Sequence, residues 1–269
     1  MIRICIAGVT GWVGSALVHA VHESTDLRLV GAVSRSKKGR QLGEVAGIPD
    51  LRVVISGSVD EALTIPTDVL VDFTSPDVAK SNVLSAIQRG VHVVVGTSGL
   101  TDDDYEEIDR KAKSGKIGVI AAGNFAISAA LMEHFATIAA EFMPSWEVID
   151  YAKESKPDAP SGTAREVAHS LSAFARPKAS IPIKNEREVN PSRGLSMGGT
   201  QVHSVRLPGY VIGTEVIFGR PGERLSIRHD ASEDPSPYIV GVLLATRKVS
   251  TFVGLSRGLW RILWPKGGS

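Results

Sequence analysis

The sequence predicts an α/β protein with two domains, and three observations lead to that class. In the first half, short β-branched runs alternate with amphipathic segments, which is typical of a doubly wound, Rossmann-like parallel sheet. After residue 125, short strands separated by Pro-Gly pairs indicate a C-terminal α+β domain that carries a mixed or antiparallel sheet. With 269 residues and 43% hydrophobic content, the chain has enough apolar residues for both cores.

The first domain is expected to contain six strands and the helices between them. Its strands are apolar almost throughout, so we expect helices on both faces of the sheet and ligands at the carboxyl ends of the strands. The helical segments include "WVGSALVHAVHES" and "DVAKSNVLSAIQRG". The predicted strands are "IRICIAG", "LRLVGAV", "RVVIS", "DVLVDFT", "VHVVVGTSG" and "IGVIAAGNF".

The second domain is expected to begin with the helix "ISAALMEHFATIAAEF", the strand "WEVIDYA" and the helix "TAREVAHSLSAFA". Residues 176–199 lack periodicity and are expected to form a mobile loop. Three further strands predict an antiparallel meander, and the stretch from Ser236 to Gly254 is predicted to be helical. We therefore expect one domain to comprise residues 1–124 with a C-terminal helix at 236–269, and the other to comprise residues 125–235.

Composition excludes several classes of protein. The formal net charge of +1 provides no global attraction to nucleic acid or to an anionic membrane, so a small anionic ligand is the expected partner. A single cysteine, Cys5, excludes an intrachain disulfide and a cysteine-based zinc site, and no metal is expected. Because no leader pattern or membrane-spanning run of about 18 apolar residues is present, we expect a cytoplasmic protein.

A glycine-rich turn follows the first predicted strand and opens the first predicted helix. Gly8, Gly11 and Gly14 would allow a tight turn, a close approach to a pyrophosphate and close packing of the helix on the strand. The spacing is GxxGxxG, with Thr10 where a second glycine more often stands. The turn therefore predicts a dinucleotide site, and the alternative is a tight turn with a structural role alone.

The end of the second predicted strand carries basic residues where a site specific for NAD usually has an acid. Ser34 and Arg35 stand there, with Lys37, Lys38 and Arg40 nearby. A guanidinium binds a 2′-phosphate well, so Arg35 favours NADPH over NADH as the cofactor. The alternative is a solvated basic loop without a ligand.

Two later strand ends suit a nicotinamide ring. Gly96 and Thr97 follow the fifth predicted strand, and Gly123 and Asn124 follow the sixth. Small residues and backbone carbonyls at this edge of a parallel sheet can line a flat ring and hold its amide. Each end could instead be a simple turn.

The stretch "KPDAPSGTA" predicts an anion site at the start of a helix. Backbone N–H groups of Gly162 and Thr163 would point out of the first turn, with the hydroxyl of Ser161 beside them. Lys156, just upstream, could add a charge or a proton. The alternative is an ordinary N-cap by Ser161 or Thr163.

Over nearly its whole length the chain resembles the bacterial dihydrodipicolinate reductase family. The resemblance rests on the order and spacing of "AGVTGWVG", "VDFTSPD", "VVGTSG", "NFAIS", "KPDAPSGTA", "VHSVRLPG" and "EVIFGRPGERLSIRHDA". It implies a reductase of the diaminopimelate and lysine pathway that uses NAD(P)H and acts on a small carboxylate-bearing imine. It also implies a homotetramer assembled through the sheet of the C-terminal domain.

The resemblance also implies a role for individual residues. The expected substrate contacts are Lys156, Ser161, Gly162 and Thr163, and the family's catalytic lysine falls on Lys156. The ribose-edge acid falls on Ser34 and the phosphate-binding arginine on Arg35. The remaining cofactor contacts fall on Gly8, Val9, Thr10, Gly11, Trp12, Val13, Gly14, Gly96, Thr97, Ser98, Ala122, Gly123, Asn124 and Phe125.

The chain departs from the family pattern just before Lys156. Family members typically carry histidines there, and this chain has Ala152, Lys153 and Ser155 at those positions. Hydride transfer to an imine requires a proton, for which Lys156 and Lys153 are the candidate acids. Three hypotheses follow: a reductase of the family's substrate with lysine as the acid, a paralogue that reduces another imine or carbonyl, and a nucleotide-binding sensor with impaired catalysis.

Overall fold

The computed structural model describes residues 1–174 and 193–264. The chain divides into two compact units, which are described separately below. Unit 1 comprises Met1–Ala126 and the chain from Pro235 onward, and unit 2 comprises Ile127–Asp234.

Unit 1 contains a parallel sheet with strand order β12-β6-β5-β4-β1-β2-β3. From β3 to β6 this is the 3-2-1-4-5-6 order of the dinucleotide-binding doubly wound fold, so the predicted fold class is confirmed. The strands are β1 Ile2–Ala7, β2 Leu27–Val33, β3 Ile55–Ser56, β4 Val69–Asp72, β5 His92–Val95, β6 Gly118–Ala121 and β12 Gly254–Arg257. The helices are α1 Trp12–His22, α2 Leu42–Ala46, α3 Val59–Ala62, α4 Pro76–Gln88, α5 Asp102–Gly115, α8 Ser236–Lys248 and α9 Trp260–Leu263.

The central strands of unit 1 are buried on both faces. All four residues of β4 and of β6 are buried, as expected for parallel strands that helices cover on each side. The thiol of Cys5 on β1 lies in this core, and burial raises its pKa to about 12, which makes it an unreactive structural thiol. The β4 run nevertheless ends in a carboxylate, that of Asp72, at the carboxyl edge of the sheet.

The C-terminal part of the chain differs from the prediction. Helix α8 ends at Lys248, whereas the sequence predicted helix as far as Gly254. A 3-10 turn continues the chain to Thr251, Phe252 is extended with a φ of −144°, and β12 then starts at Gly254 and pairs with β6. The backbone N–H of Leu255 donates to the Asp109 carboxylate, which fixes the new strand against α5.

Unit 2 contains a mixed sheet with strand order β11-β10-β7-β9-β8. Helices α6 and α7 pack on one of its faces, around a core that includes Val148, Leu171, Val216 and Phe218. The strands are β7 Ser145–Ala152, β8 Leu195–Met197, β9 Thr200–Arg206, β10 Ile212–Arg220 and β11 Glu223–Ala231. The helices are α6 Ile127–Phe142 and α7 Gly162–Phe174.

The predicted antiparallel meander of unit 2 is wrong in one respect. Strands β10 and β11 form an antiparallel hairpin, but β7 lies between β9 and β10 and pairs in parallel with β9. Helix α7 and strand β8 lie between β7 and β9 in the chain, which gives the long connection that parallel neighbours need, and the antiparallel turn from β8 into β9 gives β9 the direction of β7. The predicted loop 176–199 ends in strand β8, and its residues 176–192 lie outside the described residues.

Within residues 1–174 and 193–264, no helix has the length and apolar character needed to cross a membrane.

Candidate functional site

The glycine-rich turn of unit 1 packs too closely for side chains at two of its positions. Gly8 has a φ of +91°, and a Cβ there would overlap the Phe73 carbonyl. A Cβ on Gly14 would overlap the carbonyl of Gly8 itself, so the start of α1 lies directly against the turn. Gly11 differs, because its φ of −78° is ordinary and its Cβ would lie 3.2 Å from the nearest atom, the Gly8 oxygen.

The start of helix α1 has the features of a phosphate site. Gly11 is the N-cap residue and provides no side-chain hydrogen bond to the first turn, and that turn contains no acid. Thr10, Gly11 and Trp12 are exposed, whereas Val9 is buried beneath them. Free N–H groups and the helix dipole favour an anion at such an end, so the turn fits a pyrophosphate.

The end of strand β2 contacts this turn directly. The hydroxyl oxygens of Ser34 and Thr10 lie 3.0 Å apart, and Ser36 continues the chain of hydroxyls at 3.3 Å from Ser34. Arg35 starts a short 3-10 turn and its side chain is exposed. The predicted ribose-edge residues are therefore adjacent to the glycine-rich turn.

A buried carboxylate, which the sequence analysis did not single out, organises the next strand end. Asp72 is fully buried and accepts hydrogen bonds from the hydroxyls of Thr74 and Thr97, at 2.7 and 2.8 Å, and from the Asn82 amide at 2.8 Å. These donors satisfy the charge inside the unit. Because the Thr97 hydroxyl donates to Asp72, a contact between Thr97 and a nicotinamide would be made by the backbone of Thr97.

Phe73 links three of the predicted cofactor segments. Its carbonyl lies against Gly8, its ring lies where a Cβ on Gly96 would stand, and its ring centroid is 5.8 Å from that of Phe125. A larger residue at position 96 would displace the ring. The motif "VDFTSPD" was noted only as part of the family resemblance, and the structure gives Asp72 and Phe73 within it a positioning role.

The end of strand β6 forms a compact turn. The Asn124 side-chain oxygen accepts from the backbone N–H of Ala126 at 2.8 Å, and Ala122 and Phe125 are buried. Gly123 is half-buried and Ser98, after β5, is exposed. Tyr238 on α8 packs edge-on against Trp12 with ring centroids 5.4 Å apart, and burial raises its pKa to about 12.

Unit 2 contains the segment that is predicted to form an anion site, and a buried carboxylate holds that segment in place. Asp150 on β7 is fully buried and accepts from the backbone N–H of Ser161 at 2.8 Å and from its hydroxyl at 2.6 Å. The Ser161 hydroxyl also accepts from the N–H of Ala164, so Ser161 caps α7. Ser161 and Thr163 are buried, and Gly162 between them is half-buried.

Arg206 on β9 connects the strand to the loop that precedes α7. Its guanidinium donates to the Asp150 carboxylate at 2.7 Å and to the Asp158 carbonyl at 2.7 Å. A buried ion pair with further hydrogen bonds of this kind is strongly disrupted when one partner is removed. The loop around Lys156 is therefore anchored from two sides, by Arg206 and by Asp150 through Ser161.

The two candidate acids are both paired with carboxylates in this structure. Lys156 Nζ lies 2.6 Å from Asp158 Oδ1, and Lys153 Nζ lies 3.8 Å from Glu233 Oε1. The Lys153 side chain is 53% exposed and that of Lys156 is 25% exposed, so Lys156 is the more enclosed of the two. Ala152 is fully buried and provides no proton.

Two histidines of unit 2 lie on β9 and β11. His203 Nε2 lies 2.7 Å from Glu147 Oε2, and His229 Nδ1 lies 3.0 Å from the Ser128 hydroxyl. Both are thus engaged with partners inside the unit. Burial lowers the pKa of His229, which favours its neutral form.

Together the fold and these segments define a class: a two-unit α/β protein whose doubly wound unit has a glycine-rich turn that fits a pyrophosphate. Comparison with known proteins identifies the family. Residues 2–125 match the family described as "Dihydrodipicolinate reductase, N-terminus", and residues 126–259 match "Dihydrodipicolinate reductase, C-terminus". The chain belongs to the dihydrodipicolinate reductase family, which confirms the predicted resemblance.

Curated relatives match over the whole chain. The protein is 38% identical over 264 residues to the 4-hydroxy-tetrahydrodipicolinate reductase of Desulfitobacterium hafniense (strain Y51), covering 97% of this chain and 98% of that protein. It is 39% identical over 263 residues to the enzyme of the same name from Listeria monocytogenes serotype 4b (strain F2365), covering 97% and 99%.

Solved structures agree with this assignment. A dipicolinate-bound dihydrodipicolinate reductase from Paenisporosarcina sp. TG-14 is similar with a TM-score of 0.76 and 33% identity, covering 97% of this chain and 99% of that chain. An amine dehydrogenase from Mycobacterium smegmatis, with a TM-score of 0.68 and 16% identity over 95% of this chain and 94% of that one, shares the fold.

Proposed function

We propose that the protein reduces 4-hydroxy-tetrahydrodipicolinate with NAD(P)H, as part of diaminopimelate and lysine biosynthesis. The observation that carries the proposal is the whole-length similarity to relatives of that name, at 38% and 39% identity. The anion site of unit 2 supports it, because a helix start beside a lysine suits a carboxylate-bearing substrate.

In this proposal, unit 1 holds the cofactor. The nicotinamide group, when bound, supplies a hydride. The start of α1 binds the pyrophosphate through backbone N–H groups, and the tight packing of Gly8 and Gly14 keeps that helix end close to the turn. The backbone around Gly96–Ser98 and Ala122–Phe125 lines the nicotinamide ring, with Phe73 fixing the spacing between these segments.

Unit 2 holds the substrate and provides the proton. The N–H groups of Gly162 and Thr163 receive a substrate carboxylate at the start of α7. Hydride transfer to a conjugated imine leaves negative charge on the substrate, and a protonated lysine donates the proton that neutralises it. Lys156 is the proposed donor because its side chain is more enclosed, and Lys153 is a second cation at the rim.

We further propose that NADPH is preferred over NADH. Arg35 supports this, since within the described residues its guanidinium makes no hydrogen bond or ion pair; the pKa of Asp77 is lowered mainly by a hydrogen bond with Ser75 and to a smaller degree by the charge of Arg35. Lys38 contributes less, because it is paired with Glu61 at 2.8 Å. An unpaired guanidinium beside Ser34 is suited to a 2′-phosphate.

The proposed oligomeric state, a homotetramer, and the proposed cellular location, the cytoplasm, are taken from the family resemblance. Strand β7 alternates half-buried and buried residues, so Glu147, Ile149 and Tyr151 lie on the face opposite the helices. A homotetramer would cover that face. We propose that residues 1–124 with 236–269 bind the dinucleotide, that residues 125–235 bind substrate and mediate oligomerisation, and that the enzyme works in the cytoplasm without nucleic acid or a membrane.

A second candidate function has one specific observation in its favour. The buried Ala152 stands where the family has a histidine, and a paralogue that reduces a different cyclic imine or oxo acid would not need that acid. A catalytically impaired sensor is the third candidate.

The decisive experiment is to measure NADPH oxidation by the purified protein with freshly generated 4-hydroxy-tetrahydrodipicolinate, beside a panel of cyclic imino acids and oxo acids. We expect turnover with 4-hydroxy-tetrahydrodipicolinate. Turnover with another compound, and none with 4-hydroxy-tetrahydrodipicolinate, would support the hypothesis of a paralogue with a different substrate. NADPH binding without turnover of any compound in the panel would favour the hypothesis of a sensor.

A further inference from the structure

In the loop before α7, the carboxylate of Asp158 already forms an ion pair with Lys156, the lysine that is expected to contact the substrate. We propose that Asp158 competes with the carboxylate of the substrate for Lys156 and so limits how tightly carboxylate ligands bind. This inference rests on the proposed function, because that function places Lys156 against the substrate as its proton donor and as the lysine beside the helix start. It goes beyond that function by giving Asp158 control over how tightly carboxylate ligands are held.

The geometry of the pair suits exchange. Lys156 Nζ and Asp158 Oδ1 are 2.6 Å apart, and the two side chains are 25% and 35% exposed. A partly exposed ion pair of this kind is weakly held, since water screens the charges and can replace either partner. An incoming carboxylate can therefore take the place of Oδ1 without exposing a buried charge.

The backbone of Asp158 is fixed independently of its carboxylate. The Arg206 guanidinium binds the Asp158 carbonyl at 2.7 Å and the Asp150 carboxylate at 2.7 Å. Asp150 in turn holds both the N–H and the hydroxyl of Ser161 at the start of α7. Changing the Asp158 side chain therefore removes a charge while the anchors of the loop remain in place.

The charge balance of the loop gives the direction of the effect. With Asp158 present, Lys156 is neutralised before a ligand arrives, and the ligand must displace one carboxylate to gain one contact. Removing the Asp158 charge leaves Lys156 unpaired and removes a repulsive charge from beside it. A unit charge a few ångströms away in a mostly aqueous setting changes affinity by about 5-fold to 10-fold.

A matched control lies four positions upstream of Asp158. Glu154 belongs to the same loop and is exposed, and within the described residues it makes no hydrogen bond or ion pair. The change Glu154→Gln removes the same unit of charge as Asp158→Asn without touching the Lys156 pair. A general change in the electric field would affect both variants alike, whereas competition for Lys156 would affect only Asp158→Asn.

The test is calorimetric titration of the full chain, saturated with NADPH, with pyridine-2,6-dicarboxylate as the probe. We expect Asp158→Asn to bind the probe about 5-fold to 10-fold more tightly than the unaltered protein, and Glu154→Gln to stay within about twofold. Equal or weaker binding by Asp158→Asn overturns the proposal, as does an equal gain in Glu154→Gln or no measurable binding by any form. Asp158→Ala, which also keeps the backbone carbonyl, provides the same test where the asparagine variant folds poorly.

A double-mutant cycle shows whether the effect passes through Lys156. In a Lys156→Met background, Asp158→Asn should change probe affinity by less than about twofold, because no lysine remains to compete for. A full gain in that background overturns the competition. The failure of the proposed function is separate: it would appear as absent turnover of 4-hydroxy-tetrahydrodipicolinate by the unaltered protein, whatever the titrations give.

Discussion

The two candidate binding segments, one in each unit, arrange their charges in different ways. In unit 1, the turn before α1 exposes residues 10–12 and has no acid in the first helical turn. In unit 2, Lys156 and Asp158 of the loop before α7 pair with each other, and Asp150 on β7 pairs with Arg206 on β9. The proposed cofactor turn would therefore rely on backbone N–H groups, whereas the proposed substrate site would combine the N–H groups of Gly162 and Thr163 with side-chain charges that a ligand must compete for.

That difference determines how each half responds to substitution. A backbone site depends on close packing, so it is lost when a side chain is added where glycine stands. A charge-paired site depends on which partners remain, so a single substitution can weaken or strengthen it according to the sign removed. The predictions below test this contrast, from the largest expected effect to the smallest.

The largest effect is expected at Lys156. Replacing Lys156 with alanine removes the proposed proton donor and the cation that faces the substrate, so turnover should fall by about 10²-fold to 10⁴-fold. Lys153→Ala is the matched control and should cost less than about tenfold, because that side chain is 53% exposed and 3.8 Å from its partner. Steady-state NADPH oxidation measures both, and equal losses would remove the distinction between the two lysines.

Gly14 tests the backbone half of the contrast. A methyl group there would overlap the Gly8 carbonyl, so Gly14→Ala should lower the free energy of unfolding by about 2–3 kcal/mol and weaken NADPH binding. Gly11→Ala is the control in the same turn, where the φ of −78° suits alanine and the nearest atom is 3.2 Å away. Denaturant unfolding with and without NADPH gives both quantities. Comparable destabilisation by the two variants would contradict the packing argument.

Much of unit 1 could be predicted because its signals are local. Apolar runs of four to seven residues and the glycines at positions 8, 11 and 14 are visible in a short window of sequence. Strand β12 could not be predicted in this way. Its sequence, Gly254–Arg257, is short and half polar, and it becomes a strand only because the edge of β6 is available for pairing.

The site of unit 2 was predictable in its parts but not in its connections. The lysine and the helix start follow from the spacing of "KPDAPSGTA", whereas Arg206 lies 48 residues from Asp158 and 56 from Asp150. Only the parallel pairing of β7 with β9 brings these groups together. Side-chain pairing at such separations depends on tertiary structure, which one sequence does not display.

A smaller effect is expected at Arg35, which tests whether any part of unit 1 recognises charge through a side chain. Arg35→Ala should reduce the ratio of NADPH to NADH affinity by about tenfold, which corresponds to one charge-assisted contact with a phosphate. Lys38→Ala is the control and should leave the ratio within about twofold, since Lys38 is paired with Glu61 at 2.8 Å. Fluorescence titration with each cofactor measures the ratio. An NADH preference that survives in Arg35→Ala, or equal affinity in the unaltered protein, would refute the assignment.

The smallest effect concerns two imidazoles, one in each unit. Burial lowers the pKa of His229 in unit 2 and of His92 in unit 1 from the ordinary value of 6.5. The unfolded chain therefore binds a proton more readily than the folded one, so each imidazole favours folding above about pH 6.5, and that contribution is lost as the pH falls through the lowered value.

The expected outcome is a free energy of unfolding that declines from pH 7 to pH 5, and a shallower decline in His229→Asn, whose amide can still meet the Ser128 hydroxyl. His92→Asn should flatten the profile less, because His92 is only half-buried whereas His229 is buried. His19→Gln, an exposed position on α1, is the control and should leave the slope unchanged. Urea unfolding at several pH values gives the slopes. A profile for His229→Asn that parallels the unaltered protein would show that the acid sensitivity of unit 2 arises elsewhere.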